Sequence, residues 1–116
     1  MNKEEYFKFH EDCLSSMAEV TRKKNHDYTG ASDDPFANFK LVEVCGIAKT
    51  EVGFLTRMSD KMSRINSFVQ KGTLLVEDES VNDTLLDLAN YCILMAGYIK
   101  SRKDLSQMDV ARKEAN

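Results

Sequence analysis

The sequence predicts an all-α fold, an antiparallel four-helix bundle, on three observations. One proline and five glycines in 116 residues leave few turn signals. Four stretches repeat their apolar residues at spacings of three and four. The links between those stretches are short, which favours neighbouring helices that run in opposite directions. A chain of this length with 42% apolar residues supports one core, so a single domain over residues 1–103 is expected, followed by a polar tail, 104–116.

The first helix is expected from about Glu4 to Lys24, with Tyr6, Phe9, Cys13, Met17 and Val20 on one inward stripe and Asn2 with Glu5 as a capping box. A polar loop, 25–34, follows. Asp34 before Pro35 marks a second helix start, because the carboxylate can receive free N–H groups and a first-turn proline loses no hydrogen bond. That helix is short, Pro35 to Cys45, and Gly46 is its expected stop. The third is expected from about Lys49 to Lys71, with Val52, Leu55, Met58, Met62, Ile65 and Val69 inward and Gly72 at its end. After a connector, 73–76, Asp78 or Ser80 is placed to cap the fourth. This one runs to about Arg102, with Val81, Leu85, Leu88, Cys92, Met95 and Ile99 inward. Phe54 and Phe68, beside the main stripe, are the expected dimer surface.

Sixteen basic and nineteen acidic residues give a net charge of −3 with no long block of either sign, so a protein that coats duplex nucleic acid is not expected. No apolar run approaches the roughly 18 residues of a membrane span, and the first residues open a polar helix. A cytoplasmic protein is expected. Cys13, Cys45 and Cys92 lie far apart among apolar neighbours and read as buried free thiols.

Charge position carries the functional signal. On the fourth helix Glu79, Asp83, Asp87 and Asn90 recur at i, i+4, i+8 and i+11, and like charges one turn apart require a compensating cation. A solvated outer face would be the ordinary reading, but most of this helix is apolar, which suits a buried element whose polar groups face a site. On the third helix Arg57, Asp60, Lys61 and Arg64 form a second stripe. Glu51 projects into the apolar face of that helix, where it needs a metal or a basic partner, unless it remains solvated in the first turn. Oxygen ligands without a histidine and cysteine cluster favour Mg2+ or Mn2+. Carboxylates that hold such a metal, beside Arg and Lys that neutralise phosphate, are what a nucleoside polyphosphate requires. Lys24 adds a cation from the polar loop, Tyr28 an aromatic face and Asn38 an amide, while Phe36 and Phe39 read first as core.

The order Lys24-Asn25-x-Asp27-Tyr28, Asn38-Phe39, Arg57-x-x-Asp60-Lys61-x-x-Arg64 and Asp78-Glu79-Ser80-x-x-Asp83-Thr84-Leu85-x-Asp87-Leu88-Ala89-x-Tyr91 resembles the nucleotide-modification-associated domain family of phages and bacteria. That family looks like a branch of the all-α, MazG-like nucleoside triphosphate pyrophosphatases. The resemblance implies a metal-dependent hydrolase that converts a (d)NTP to (d)NMP and pyrophosphate, acting as a homodimer or homotetramer in a bacterial or phage-infected cytoplasm.

Carried onto this chain, it implies metal ligands Glu51, Asp60, Glu79, Asp83 and Asp87, with Glu79, Asp83, Asp60 and Lys61 in catalysis. Phosphate would meet Lys24, Arg57, Lys61 and Arg64, and the nucleoside Asp27, Tyr28, Asn38 and Asn90. The first acidic block here offers Asp60, with Glu51 more than two turns upstream, and the second is spaced Glu79-x-x-x-Asp83. That thinning motivates the alternative, a protein that binds and sequesters a nucleotide without cleaving it. A helical module whose charged stripes pair with each other is a third reading.

Overall fold

A computed structural model of the chain describes residues 1–29, 32–72 and 80–115. They form four helices, α1 (Lys3–Thr29), α2 (Ala37–Val44), α3 (Thr50–Lys71) and α4 (Val81–Ala115), with no strand among the described residues. The expected all-α class is observed, and none of these helices is long and apolar enough to cross a membrane.

Helix ends follow local chemistry. The Glu5 N–H donates to Asn2 Oδ1 at 2.9 Å, which satisfies one of the free donors at the start of α1. α1 then runs through Thr29, five residues beyond its expected end, since the polar residues after Lys24 include no glycine or proline before Gly30. Asp34 receives the Phe36 N–H at 2.9 Å and also pairs with Lys40, but it does so in a turn, and α2 begins later than expected, at Ala37. Gly72 ends α3 at φ 76°, a left-handed conformation that costs glycine little, and its N–H donates to the Phe68 carbonyl at 2.7 Å. Ser80 Oγ accepts the Asp83 N–H at 3.1 Å and caps α4. Asp78 and the connector 73–76 lie outside the described residues. α4 continues to Ala115 instead of stopping near Arg102, because no helix breaker interrupts the polar stretch after it.

α3 and α4 pack as an antiparallel hairpin: Glu51 at the start of α3 meets Arg102, and Lys61 farther along α3 meets Asp87, which lies earlier in α4. α2 approaches α3 closely at Gly53, where an added Cβ would stand 3.0 Å from the Phe39 carbonyl oxygen and 3.3 Å from Val42. This contact lets Phe39 stack on Phe54, with ring centroids 4.1 Å apart and an interplanar angle of 8°. Tyr91 meets Phe39 edge-on, and Tyr98 lies against both Phe54 and Phe36. The core is therefore aromatic, with Phe54 and Tyr98 buried in it and Met17 buried on α1.

That core corrects the expected stripes. Phe54 is fully buried and Phe68 half-buried, so neither forms the exposed surface expected of them. Val52, Leu55, Met62 and Val69 on α3 and Leu85, Cys92 and Ile99 on α4 are exposed instead. α1 and α2 cover the hairpin from the side that carries Phe54 and Tyr91, which rotates the expected stripes outward by roughly a quarter turn. The thiols are corrected too. All three are free, but Cys45 and Cys92 are exposed and only Cys13 is partly covered. The first half of α1 also stands open, with Tyr6, Phe7, Phe9 and Leu14 exposed.

Candidate functional site

Four elements converge on one cavity of about 60 Å3. α1 supplies Thr21, Lys24 and Asn25 at i, i+3 and i+4. The turn before α2 and α2 itself supply Pro35, Asn38 and Phe39. α3 contributes Arg57, and α4 contributes Asp87, Asn90, Tyr91 and Leu94 at i, i+3, i+4 and i+7. The helical period places each set on one stripe. A second cavity of about 270 Å3 adjoins it, sharing Lys24, Asp87 and Asn90 and adding Asp83, Ser16 and Met17.

Asp87 sits at the centre of the charge arrangement. Its Oδ1 accepts from Lys24 Nζ at 3.0 Å, and its Oδ2 lies 3.2 Å from Lys61 Nζ. Lys61 is well covered, with 12% of its side chain exposed, so its charge acts in a medium less polar than water. Burial pushes the Asp87 carboxyl upward as the largest single influence. The hydrogen bonds and charges of the two lysines together outweigh it, and the group titrates below its usual 3.8. Two cations on different helices are thereby held beside one anion at the rim of the cavity.

Amides line the interior. Thr21 Oγ1 and Asn90 Oδ1 are 3.1 Å apart, which fixes the orientation of the Asn90 side chain across the α1–α4 junction. Asn25 Nδ2 donates to the Pro35 carbonyl at 3.0 Å and ties the end of α1 to the turn before α2. Phe39, together with Tyr91 and Leu94, supplies the apolar part of the wall.

The residues singled out in the sequence divide between this place and others. Lys24, Asn38, Arg57, Lys61, Asp87 and Asn90 come together here, and Asp83 lies beside them in the second cavity. Asp60 is exposed and pairs with Arg64 at 3.4 Å, an i,i+4 pair along α3. Glu51 lies ten residues before Lys61, roughly 15 Å away along the helix. There its Oε2 accepts from Arg102 Nη1 at 3.0 Å, while Oε1 is buried without a hydrogen-bond partner among the described residues. The basic partner that its position demanded is thus Arg102. Asp27 and Tyr28 belong to the last turn of α1, their side chains outside the described residues, and Glu79 also lies outside them.

Among the described residues no three His, Cys, Asp or Glu side chains gather as a metal-holding group. The described residues alone therefore assemble no three-carboxylate site. Asp83 and Asp87 share a cavity, but Glu51 and Asp60 are engaged elsewhere.

Thr21 and Leu94 were not picked out from the sequence, and Tyr91 only as part of a motif. A signal existed: Thr21 precedes Lys24 by one helical turn, and Tyr91 and Leu94 continue the stripe of Asp87. It becomes readable only once the neighbouring helices are known to face it.

Neither a curated protein nor a solved structure matches this chain. A family profile does, over residues 24–97, well over half of its length and including the residues that line the first cavity other than Thr21. The chain belongs to the family described as nucleotide modification associated domain 1.

Proposed function

We propose that this chain binds a nucleoside phosphate, with the base in the amide-lined cavity and the phosphates on Lys24, Lys61 and Arg57. The observation that carries the reading is the convergence of Lys24 and Lys61 on Asp87 at the edge of that cavity. A base is a planar heterocycle with hydrogen-bonding edges. Asn38 and Asn90 meet its edge, and the walls of Phe39 and Tyr91 meet its face. The polyanionic tail needs preorganised cations, and Asp87 holds two of them together before the ligand arrives. The family description, which concerns nucleotide modification, supports the same ligand class.

For the bound nucleotide the first reading is hydrolysis of a (d)NTP to (d)NMP and pyrophosphate, in a cytoplasmic, MazG-like four-helix bundle dependent on Mg2+ or Mn2+. Asp83 and Asp87, one turn apart beside the cations, favour it. Because the described carboxylates do not converge as a set, the account rests on the chain's own groups. Lys24, Lys61 and Arg57 neutralise charge on the phosphates, and the amides orient the nucleoside. The second reading is a protein that holds its nucleotide uncleaved. The engagement of Asp60 by Arg64 and of Glu51 by Arg102 favours that one.

An ion-exchange product assay over the common NTPs and dNTPs, with Mg2+, Mn2+ or EDTA, separates the two. Metal-dependent monophosphate and pyrophosphate support the hydrolase. Intact nucleotides that still raise the melting temperature in EDTA support the binder. If no nucleotide is cleaved and none shifts the melting temperature, the site assignment fails. Lys61→Gln is expected to weaken binding about tenfold, the loss of roughly 1.4 kcal/mol.

A further inference from the structure

Threonines inside helices commonly give their hydroxyl to a carbonyl of their own helix. Thr56 donates to the Val52 carbonyl at 2.8 Å and Thr84 to the Ser80 carbonyl at 3.5 Å, each four residues back. Thr21, well inside α1, does otherwise: its hydroxyl crosses to α4 and donates to Asn90 Oδ1 at 3.1 Å, between residues 69 apart in the chain. Both residues are half-buried, and both stand on the wall of the smaller cavity.

A primary amide has an accepting end and a donating end, and a half-turn about its terminal bond exchanges them. A hydroxyl that donates to the oxygen selects one of the two arrangements. Asn90 then offers a ligand its amino group, with two N–H donors. The other amides of the wall are placed differently. Asn25 Nδ2 is held by the Pro35 carbonyl at 3.0 Å, whereas Asn38 has no side-chain hydrogen bond among the described residues and can turn either end to a base. Discrimination between bases therefore falls to Asn90.

From these observations we infer that Thr21 is a positioning residue that sets the base preference of the site: by holding the Asn90 oxygen, it favours bases that present a keto oxygen, such as uracil and hypoxanthine, over those that present an amino group, such as cytosine and adenine. Base selection of this kind rests on the nucleotide reading of the site. A keto oxygen accepts from Asn90 Nδ2 with nothing rearranged. An exocyclic amino group would set donor against donor. To serve it, the amide would have to turn over and the Thr21 hydroxyl with it, two groups moving instead of none. An unmade hydrogen bond or that rearrangement disfavours the amino base by about tenfold.

The affinity of the full chain for two matched pairs of nucleotides tests this. The pairs are uridine against cytidine and inosine against adenosine, each as the α,β-imido triphosphate with Mg2+, in ribose and deoxyribose forms. Members of a pair are alike in size and differ where one has a keto oxygen and the other an amino group. In any pair that binds, the native chain is expected to hold the keto member about tenfold more tightly. Thr21→Val keeps the shape of the side chain and removes the hydroxyl, which frees the amide to turn, so the ratio should fall toward one through tighter binding of the amino member. Thr21→Ser returns the hydroxyl and should restore the ratio. Asn90→Asp replaces the donating end by an acceptor and should reverse the preference, whatever it does to affinity as a whole. Lys61→Gln, which acts on the phosphates, should weaken both members alike. Equal affinities within each pair, a preference for the amino member, or a keto preference that survives Thr21→Val or Asn90→Asp overturns the inference and leaves nucleotide binding standing. Binding of none of these nucleotides overturns both.

Discussion

The two sides of the α3–α4 hairpin are built from the same two helices and differ in nearly everything else. One side carries Arg57, Lys61, Asp87 and Asn90, is covered by α1 and α2, and encloses a cavity. The other carries two largely apolar rows with the Glu51–Arg102 pair at one end, and it is open. On the covered side the aromatic residues Phe36, Phe39, Phe54, Tyr91 and Tyr98 do the packing, and the polar residues stand at the edge of their cluster. The difference shows that an apolar stripe does not by itself identify the core of a chain. Where a helix has apolar residues on two faces, the one buried is the one that neighbouring elements can reach.

The largest effect is expected where the covered side is anchored. Phe54→Ala removes a fully buried ring stacked on Phe39 and should cost about 3–5 kcal/mol in urea unfolding, with loss of the cavity that Phe39 lines. A cost below about 1 kcal/mol would mean that the aromatic cluster is not the core.

Asp87→Asn leaves Lys24 and the well-covered Lys61 without the carboxylate between them, and a loss of about 2 kcal/mol is expected. The sign of its pH dependence follows from the lowered carboxyl. With a folded-state value below the usual 3.8, Asp87 contributes its full stability above that value and loses the contribution as pH falls through the folded one. Urea midpoints of the native chain measured downward from pH 5 should therefore decline below roughly pH 4, and those of Asp87→Asn should decline less. Parallel curves would remove Asp87 from the charge balance of the site.

A smaller effect, about 1 kcal/mol, is expected for Asp34→Ala. This carboxylate accepts the Phe36 N–H and pairs with Lys40, and the Lys40 hydrogen bond holds its titration low. Unfolding by urea measures it. Because the turn bears Pro35, which anchors Asn25, the same variant should loosen the mouth of the cavity and lower nucleotide affinity modestly.

Much of this was legible along the chain. The absence of strand and turn signals gave an all-α fold, and Gly72 and Ser80 marked helix ends because their chemistry is local. Lys24, Arg57, Lys61, Asp87 and Asn90 stood out because cations and carboxylates repeated at helical spacing inside apolar helices. α1 and α4 run past the ends that polar composition predicts, because a polar stretch without glycine or proline continues a helix.

What the sequence determined by itself, then, was the helical class, several of the caps and the charged stripes, since each depends on residues within a turn or two of one another. Only the tertiary structure decided that Glu51 belongs to Arg102, that Lys61 meets Lys24 across Asp87, and that Phe54 is core. Those outcomes depend on the rotation of each helix about its own axis. That rotation is set by where α1 and α2 pack, and the spacing of residues within a single helix does not contain it.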